Sequence, residues 1–83
     1  MKLGMYSICD KYTCYIYPFP AQSDQAAKRN FETEINSNPI AKNSPGDFDL
    51  YKVATFDTET GIVEPITPHE PITTGMNVFR KDE

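Results

Sequence analysis

Two stretches near the N-terminus have the apolar pattern of β-strands. In residues 3–9, Tyr6 and Ile8 fall on one face and the other side chains on the opposite face, which predicts a strand partly buried on both sides. Residues 13–17, Thr-Cys-Tyr-Ile-Tyr, are β-branched and aromatic. They predict a second extended piece, which the prolines around Phe19 end.

The next segment has a helical pattern. The hydroxyl of Ser23 can accept a hydrogen bond from a backbone N–H of a first helical turn, so we expect a helix over residues 24–36. Its apolar residues Ala27, Phe31 and Ile35 are spaced four apart and form one narrow stripe. This stripe predicts a helix that packs on a sheet with one face and leaves the other face in water.

A polar connection and a further strand come next. Residues 36–46 are rich in Asn, Ser, Pro and Gly and predict an irregular surface loop. In residues 48–56, apolar side chains occur on both alternating faces, which predicts a central strand. The alternation assigns Phe48, Leu50, Ala54 and Phe56 to one face, and Tyr51, Val53 and Thr55 to the other.

The remaining segments predict a hairpin and a tail. Gly61 can adopt the positive φ that such a turn needs, after which residues 62–66 return as a strand. Pro65 lacks a backbone N–H and therefore confines this strand to an edge of the sheet. Residues 67–83 are expected to be an extended or loosely ordered tail, with room for a short strand at residues 76–79.

These elements predict an α+β fold: a small, mostly antiparallel sheet of three to four strands with one helix packed on one face. The chain of 83 residues suits a single domain spanning residues 1–83. One helix covers only one sheet face, which leaves aromatic side chains such as Tyr15, Tyr17 and Tyr51 without a partner. We therefore expect a homo-oligomer, a dimer or higher.

Charge and cysteine content exclude some classes of protein and indicate the compartment. Twelve acidic and eight basic residues give a net charge of −4, which argues against a protein that coats nucleic acid through bulk positive charge. Cys9 and Cys14 are too close in sequence to staple a secreted mini-domain, so we expect reduced thiols in a cytosolic protein. No apolar run has the length of a membrane span or signal peptide, so we expect no membrane association.

The sequence lacks the usual signatures of catalysis and of metal binding. His69, the only histidine, lies between Pro68 and Glu70 and is interpreted as a solvated loop residue. No phosphate-binding loop, zinc-hydrolase motif or nucleophile elbow occurs. The acidic residues within residues 47–59 lack the spacing of a calcium site and are interpreted as turn residues. We therefore expect no enzymatic activity, no cofactor and no metal.

One group of residues has the composition of a site for single-stranded nucleic acid. Aromatic rings stack on unpaired bases, and Lys or Arg side chains meet phosphates. The alternative is that the aromatic residues are core and that the cations occupy wet surfaces. The candidate nucleic-acid-binding residues are Lys11, Tyr15, Tyr17, Lys28, Arg29 and Lys52.

A series of short motifs resembles a known phage family. The motifs are residues 6–10 (Tyr-Ser-Ile-Cys-Asp), 18–19 (Pro-Phe), 27–31 (Ala-Lys-Arg-Asn-Phe), 47–51 (Asp-Phe-Asp-Leu-Tyr), 55–57 (Thr-Phe-Asp) and 60–61 (Thr-Gly). In this order they resemble the small non-structural protein of gokushovirus-type microviruses, phages with circular single-stranded DNA genomes, over roughly residues 5–68. The chain departs from that family at Ala54, where a glycine is usual, and in residues 12–17, which are more aromatic here.

The resemblance implies a non-enzymatic role in phage DNA replication, at the change from duplex replication to single-strand synthesis for packaging, in the host bacterial cytoplasm. It implies single-stranded DNA as the ligand. A phage replication protein is a further expected partner. The competing hypothesis is a protein-binding adaptor that regulates the replication initiator or a host factor without contacting DNA, which the net charge of −4 favours. A minor capsid or scaffolding component fits less well, because such proteins are usually longer helices or strongly basic peptides.

Overall fold

Four antiparallel strands form one sheet in the computed structural model, which describes residues 1–80. The strands are β1 (Lys2–Asp10), β2 (Phe19–Ala21), β3 (Phe48–Asp57) and β4 (Val63–Thr74), in the spatial order β2-β1-β3-β4. The helices are α1 (Asp24–Ser37), α2 (Pro39–Asn43) and α3 (Gly75–Val78). The predicted α+β class is confirmed, and β3 is an interior strand as expected.

Helix α1 begins and packs as its sequence predicts. The side chain of Ser23 accepts a hydrogen bond from the Ala26 N–H at 3.1 Å and caps the helix. Ala27, Phe31 and Ile35 are fully buried. Their partners in the core are the sheet residues Tyr6, Ile8, Phe48 and Leu50. This core joins α1 to one face of the sheet, and we call the opposite face the open face.

The extended piece predicted at residues 13–17 precedes a short strand that pairs with β1. Residues 11–13 form a turn, and Tyr15 makes only an isolated bridge with Cys9. Continuous pairing with β1 begins at β2, after Pro18. Residues 13–17 therefore contact β1 at one bridge but form no continuous strand, because Pro18, which has no backbone N–H, separates this bridge from the ladder. The expectation that the prolines around Phe19 end the extended piece is wrong, since β2 begins at Phe19.

The connection predicted as a loop contains two short helical pieces. The side chain of Asn38 accepts a hydrogen bond from the Ile40 N–H at 3.0 Å and caps α2, with Pro39 in its first turn. A 3₁₀ turn, Pro45–Asp47, follows. The loop prediction is wrong because the Asn-Pro pair that ends α1 is also a favourable helix start. Ala41 is buried and holds α2 in the core.

A β-bulge in β3 changes which side chains share a face. Tyr6 pairs with Lys52 but Met5 pairs with Ala54, which leaves Val53 as the extra residue. Directly opposed residues of antiparallel strands share a face, so the strand beyond the bulge is turned over. The predicted faces are therefore wrong beyond the bulge. The apolar residues moved to the open face are Ala54 and Phe56.

The hairpin and the edge position of the last strand agree with the prediction. Gly61 has a φ of 78°, and β4 lies at the sheet edge. Strand β4 is longer than predicted and includes residues 67–74 of the expected tail as an extended strand. The short strand expected at residues 76–79 is wrong, because the chain turns into α3 at Gly75. Residues 81–83 lie outside the described part of the chain.

Candidate functional site

The open face is built from β1, β3 and β4, and the β1–β2 connection lies beside it. Ser7 and Cys9 of β1 stand on this face, opposite Tyr51 and Asp49 of β3. We call residues 11–18 the tyrosine loop. Its tyrosines are Tyr12, Tyr15 and Tyr17.

Hydrogen bonds hold the tyrosine loop against the sheet. The Ile16 N–H donates to the Ile8 carbonyl at 2.8 Å. The hydroxyl of Ser7, which is buried, donates to the Ile16 carbonyl. At the start of the loop, the Lys11 N–H donates to the Asp47 carbonyl at 3.0 Å. The two tyrosines on either side of Ile16 are thereby held beside the open face.

Three rings meet above the open face. The centroid of the Tyr15 ring lies 5.9 Å from that of Tyr51 and 5.4 Å from that of His69, both in edge-to-face geometry. The Nδ1 atom of His69 lies 2.9 Å from the Ile66 carbonyl oxygen. This nitrogen therefore carries the proton of the neutral ring, and Nε2 is left as an acceptor.

A cavity of about 330 Å³ lies next to these rings, and we call it the tyrosine cavity. Its volume is at the lower end of the range for small-molecule sites, roughly 300–1,000 Å³. Tyr17 is 85% exposed and Tyr15 is 45% exposed. The cavity therefore has room for one small ring system beside two accessible phenol rings. The lining residues are Ser7, Tyr15, Ile16, Tyr17, Pro18, Val53 and His69.

A second cavity, of about 410 Å³, lies beside Tyr51 and has more polar walls, which include Thr73 and Lys11. The Lys11 ammonium donates to the Gly46 carbonyl at 3.0 Å, and its Nζ lies 4.0 Å from Oδ2 of Asp49. An ammonium group has three donors, so Lys11 retains capacity for an additional anionic acceptor. Asp49 places a competing negative charge at the same position.

Local electrostatics favour the uncharged forms of the Cys9 thiol and the Tyr15 phenol on the open face. Burial raises the pKa of the Cys9 thiol, and the carboxylates of Asp49 and Asp10 raise it further. Desolvation raises the pKa of the Tyr15 phenol as well, and the neighbouring Cys9 adds to the effect. Both groups therefore remain protonated at neutral pH. Because a protonated thiol is a poor nucleophile, Cys9 has low reactivity at neutral pH.

Three of the six residues predicted to bind nucleic acid lie at the open face. Tyr15 and Tyr17 line the tyrosine cavity, and Lys11 lines the second cavity. Tyr51 connects the two, because its ring contacts Tyr15 and its side chain lines the second cavity. The two aromatic residues and one of the cations predicted to bind nucleic acid are therefore close together.

The other three predicted residues lie on the helix side of the sheet. Lys28 and Arg29 belong to α1, and within residues 1–80 neither makes a salt bridge. Lys52 pairs with Tyr6, and its Nζ lies 6.0 Å from the centroid of the Tyr6 ring. The sheet therefore divides the predicted group into two sets on opposite sides of the molecule.

The interpretation of His69 as a solvated loop residue is wrong. His69 lies in β4, is partly buried and packs its ring on Tyr15. The prolines near it indicate a loop by composition, yet an edge strand tolerates residues without a backbone N–H. The edge position already predicted from Pro65 was the signal for a longer strand. Val53 could not be assigned to the cavity without the bulge, which depends on pairing with β1.

Two further features concern the described residues only. No helix formed by residues 1–80 is both long and apolar enough to cross a membrane. The same residues contain no group of three or more His, Cys, Asp or Glu side chains arranged to hold a metal ion.

A comparison with protein-family models gives a match over nearly the whole described chain. The model of a family described as Phage ORF5 protein matches residues 3–78. This range includes the tyrosine loop, the open face and all three helices. No curated protein and no solved structure matches the chain. The chain therefore belongs to the Phage ORF5 protein family.

Proposed function

We propose that this phage protein binds single-stranded DNA on its open face and acts, without catalysis, in viral DNA replication, at the switch to single-strand synthesis and packaging. The observation that carries the proposal is the pair of exposed rings, Tyr15 and Tyr17, beside the tyrosine cavity. The resemblance to gokushovirus-type microviruses supports a single-stranded DNA ligand in the host bacterial cytoplasm. Membership in a phage family is consistent with this setting.

Stacking is the interaction that suits this face. A chain with a net charge of −4 does not hold DNA through bulk positive charge. Ring stacking depends little on net charge and contributes about 1–3 kcal/mol per base. Tyr17 has most of its ring in water and is the first candidate to stack on a base.

Lys11 supplies a cation close to these rings. Lys11 lines the cavity beside Tyr51, whose ring contacts Tyr15. A phosphate of a strand stacked on the tyrosines can therefore approach Lys11, although Asp49 at 4.0 Å weakens the attraction. We expect one phosphate contact here, which makes the affinity only moderately dependent on salt.

Lys28 and Arg29 provide a control within the same molecule. They belong to α1, on the opposite side of the sheet from the tyrosine cavity. A strand bound to the open face does not reach them, so they contribute only long-range attraction. Lys52 is likewise turned toward Tyr6 and away from this face.

The test is a fluorescence-anisotropy titration of a labelled poly-pyrimidine oligonucleotide at two salt concentrations. Tyr17→Ala is expected to weaken binding by roughly 5- to 150-fold, the equivalent of one stacked ring. Lys11→Ala should weaken binding less at high salt than at low salt and lower the salt slope by about 0.7. Lys28→Ala/Arg29→Ala should leave the salt slope nearly unchanged. Equal affinity of wild type, Tyr17→Ala and Lys11→Ala would place the binding surface elsewhere.

The competing function is a protein-binding adaptor. Its support is the acidic net charge together with the mainly apolar side chains of the tyrosine cavity, among them Ile16, Pro18 and Val53. An adaptor of this kind would hold a replication initiator or a host factor without contacting DNA. Absence of oligonucleotide binding by the wild-type protein at low salt would favour the adaptor over DNA binding.

A further inference from the structure

The tyrosine cavity has a floor, two walls and an entrance. Its floor is formed by Ser7 of β1 and by Val53, the bulge residue of β3. Tyr15 and Tyr17 of the tyrosine loop form one wall, and His69 of β4 forms the other. Because Tyr17 is 85% exposed, the cavity is accessible from solvent.

The side chains that surround this cavity suit a flat ring that also forms hydrogen bonds. Val53 offers an apolar surface at the floor, and Tyr15, Tyr17 and His69 offer ring surfaces at the sides. The hydrogen bond of His69 Nδ1 with the Ile66 carbonyl leaves Nε2 of the neutral ring as an acceptor. A pyrimidine or purine has both a stacking surface and N–H donors, whereas an aliphatic side chain has neither.

The tyrosine cavity lies close to the second cavity, so one ligand can extend from the first into the second. Tyr51 contacts Tyr15 and lines the second cavity, which includes Lys11. A nucleotide has a flat base joined through its sugar to an anionic phosphate. The tyrosine cavity provides ring surfaces for the base, and the second cavity provides the Lys11 cation for the phosphate. The arrangement matches one base in the first cavity and its backbone directed toward the second.

We propose that the tyrosine cavity is a subsite for a single nucleobase, in which the base lies on Val53 and is flanked by Tyr17 and His69. This inference rests on the proposed DNA binding and deepens it. The tyrosines alone predict stacking on an open surface, whereas the cavity predicts that one base is inserted into the face.

The first test fills the cavity without removing a ring or a charge. Val53→Phe adds volume at the floor, and the matched control Ile40→Phe adds the same ring at an exposed site of α2. We expect Val53→Phe to weaken binding of an oligothymidylate by roughly 5- to 150-fold, the equivalent of one lost stacked base. Ile40→Phe should bind as the wild type does. Thermal unfolding of both variants checks that the fold is retained.

The second test uses the wild-type protein and does not depend on a variant that folds. The chain has three valines, Val53, Val63 and Val78, whose methyl resonances can be followed by NMR during titration with the same oligothymidylate. A base lying on Val53 should shift its methyl signals upfield through the ring current, while those of Val78, which packs against the core, stay in place.

The outcomes separate this inference from the proposed function. DNA binding by the wild type with unmoved Val53 methyl signals, or with full affinity in Val53→Phe, would overturn the base subsite and leave DNA binding on the open face intact. Failure of the wild type to bind the oligothymidylate would overturn both. Loss of affinity in Val53→Phe alone, together with the Val53 shift, supports the subsite.

Discussion

Tyr6 ties the sheet to the first turn of α1. Its ring is buried in the core, and its hydroxyl donates to Oδ1 of Asp24 at 2.6 Å. Burial raises the pKa of Tyr6 well above its ordinary value of 10, and the hydrogen bond to the Asp24 carboxylate and its negative charge raise it further. The folded protein therefore keeps this proton at pH values at which the unfolded chain has lost it.

This shift predicts a loss of stability at alkaline pH. The contribution of Tyr6 is fully present below pH 10 and is lost as the pH rises above it, because only the unfolded chain then ionises readily. Tyr6→Phe should cost about 1 kcal/mol at pH 7 through the lost hydrogen bond. Urea unfolding should show that the gap between wild type and Tyr6→Phe narrows above pH 10. The control Tyr12→Phe, at an exposed site, should follow the wild type throughout. A constant gap would contradict this role of the phenol.

Asp49 is the residue whose charge opposes the proposed function most directly. Its Oδ2 lies 4.0 Å from Nζ of Lys11. Asp49→Asn removes the negative charge beside the ammonium, so we expect up to about fivefold tighter binding of single-stranded DNA at low salt. Glu64→Gln makes the same change in net charge on the helix side, beside Lys2, and should have a smaller effect. Equal effects of the two substitutions would show that only net charge matters.

At the scale of elements, α1 stabilises the fold through one buried stripe. Phe31 lies at its centre and is fully buried between Ala27 and Ile35. Phe31→Ala should lower the free energy of unfolding by about 3–5 kcal/mol, because it leaves a cavity in the only described layer that covers this sheet face. The control Ile40→Ala, at an exposed position of α2, should cost less than about 0.5 kcal/mol. A melting temperature unchanged in Phe31→Ala would contradict this packing.

The elements also show how far the sequence predicts the fold. The cap at Ser23 and the stripe of α1 are local patterns, so they were predictable. The Asn38-Pro39 pair was ambiguous, because the same residues that stop one helix can start another. The bulge at Val53 depends on pairing with β1, which a period of two along one strand does not encode.

The candidate site was predictable only where it depends on local sequence. The aromatic composition of the tyrosine loop indicated Tyr15 and Tyr17, and both line the cavity. The partner of Tyr15 on β4, His69, is more than fifty residues away in sequence, so only the tertiary fold brings the rings together. Lys28 and Arg29 share a cationic residue type with Lys11 but lie on α1, so the sheet separates them from the tyrosines.

At the scale of the molecule, the chain forms a thin slab of 46 × 24 × 16 Å with one sheet face left without a helix among the described residues. Leu3, Phe56 and Val63 form an apolar row across the open face at the end opposite the tyrosine loop. Val63 is 56% exposed. We propose that a second copy packs against this row, which leaves the tyrosine cavity free for DNA.

This packing predicts a homodimer. Sedimentation at micromolar concentration should give twice the chain mass of 9.4 kDa, and Val63→Glu should shift the protein toward monomer by burying a charge in the contact. Thr58→Glu, at an exposed turn position, is the control for the added charge. A wild type that sediments only as a 9.4 kDa species would remove the dimer.

Binding of single-stranded DNA to the open face, and not to the helix side, can be located residue by residue. The most direct measurement is an NMR titration of ¹⁵N-labelled protein with a short oligothymidylate, read out residue by residue. Amide shifts should concentrate in the tyrosine loop and around Val53 and His69, which surround the tyrosine cavity, while α1 is unperturbed. Shifts concentrated around Lys28 and Arg29, or no shifts at low salt, would contradict binding to the open face.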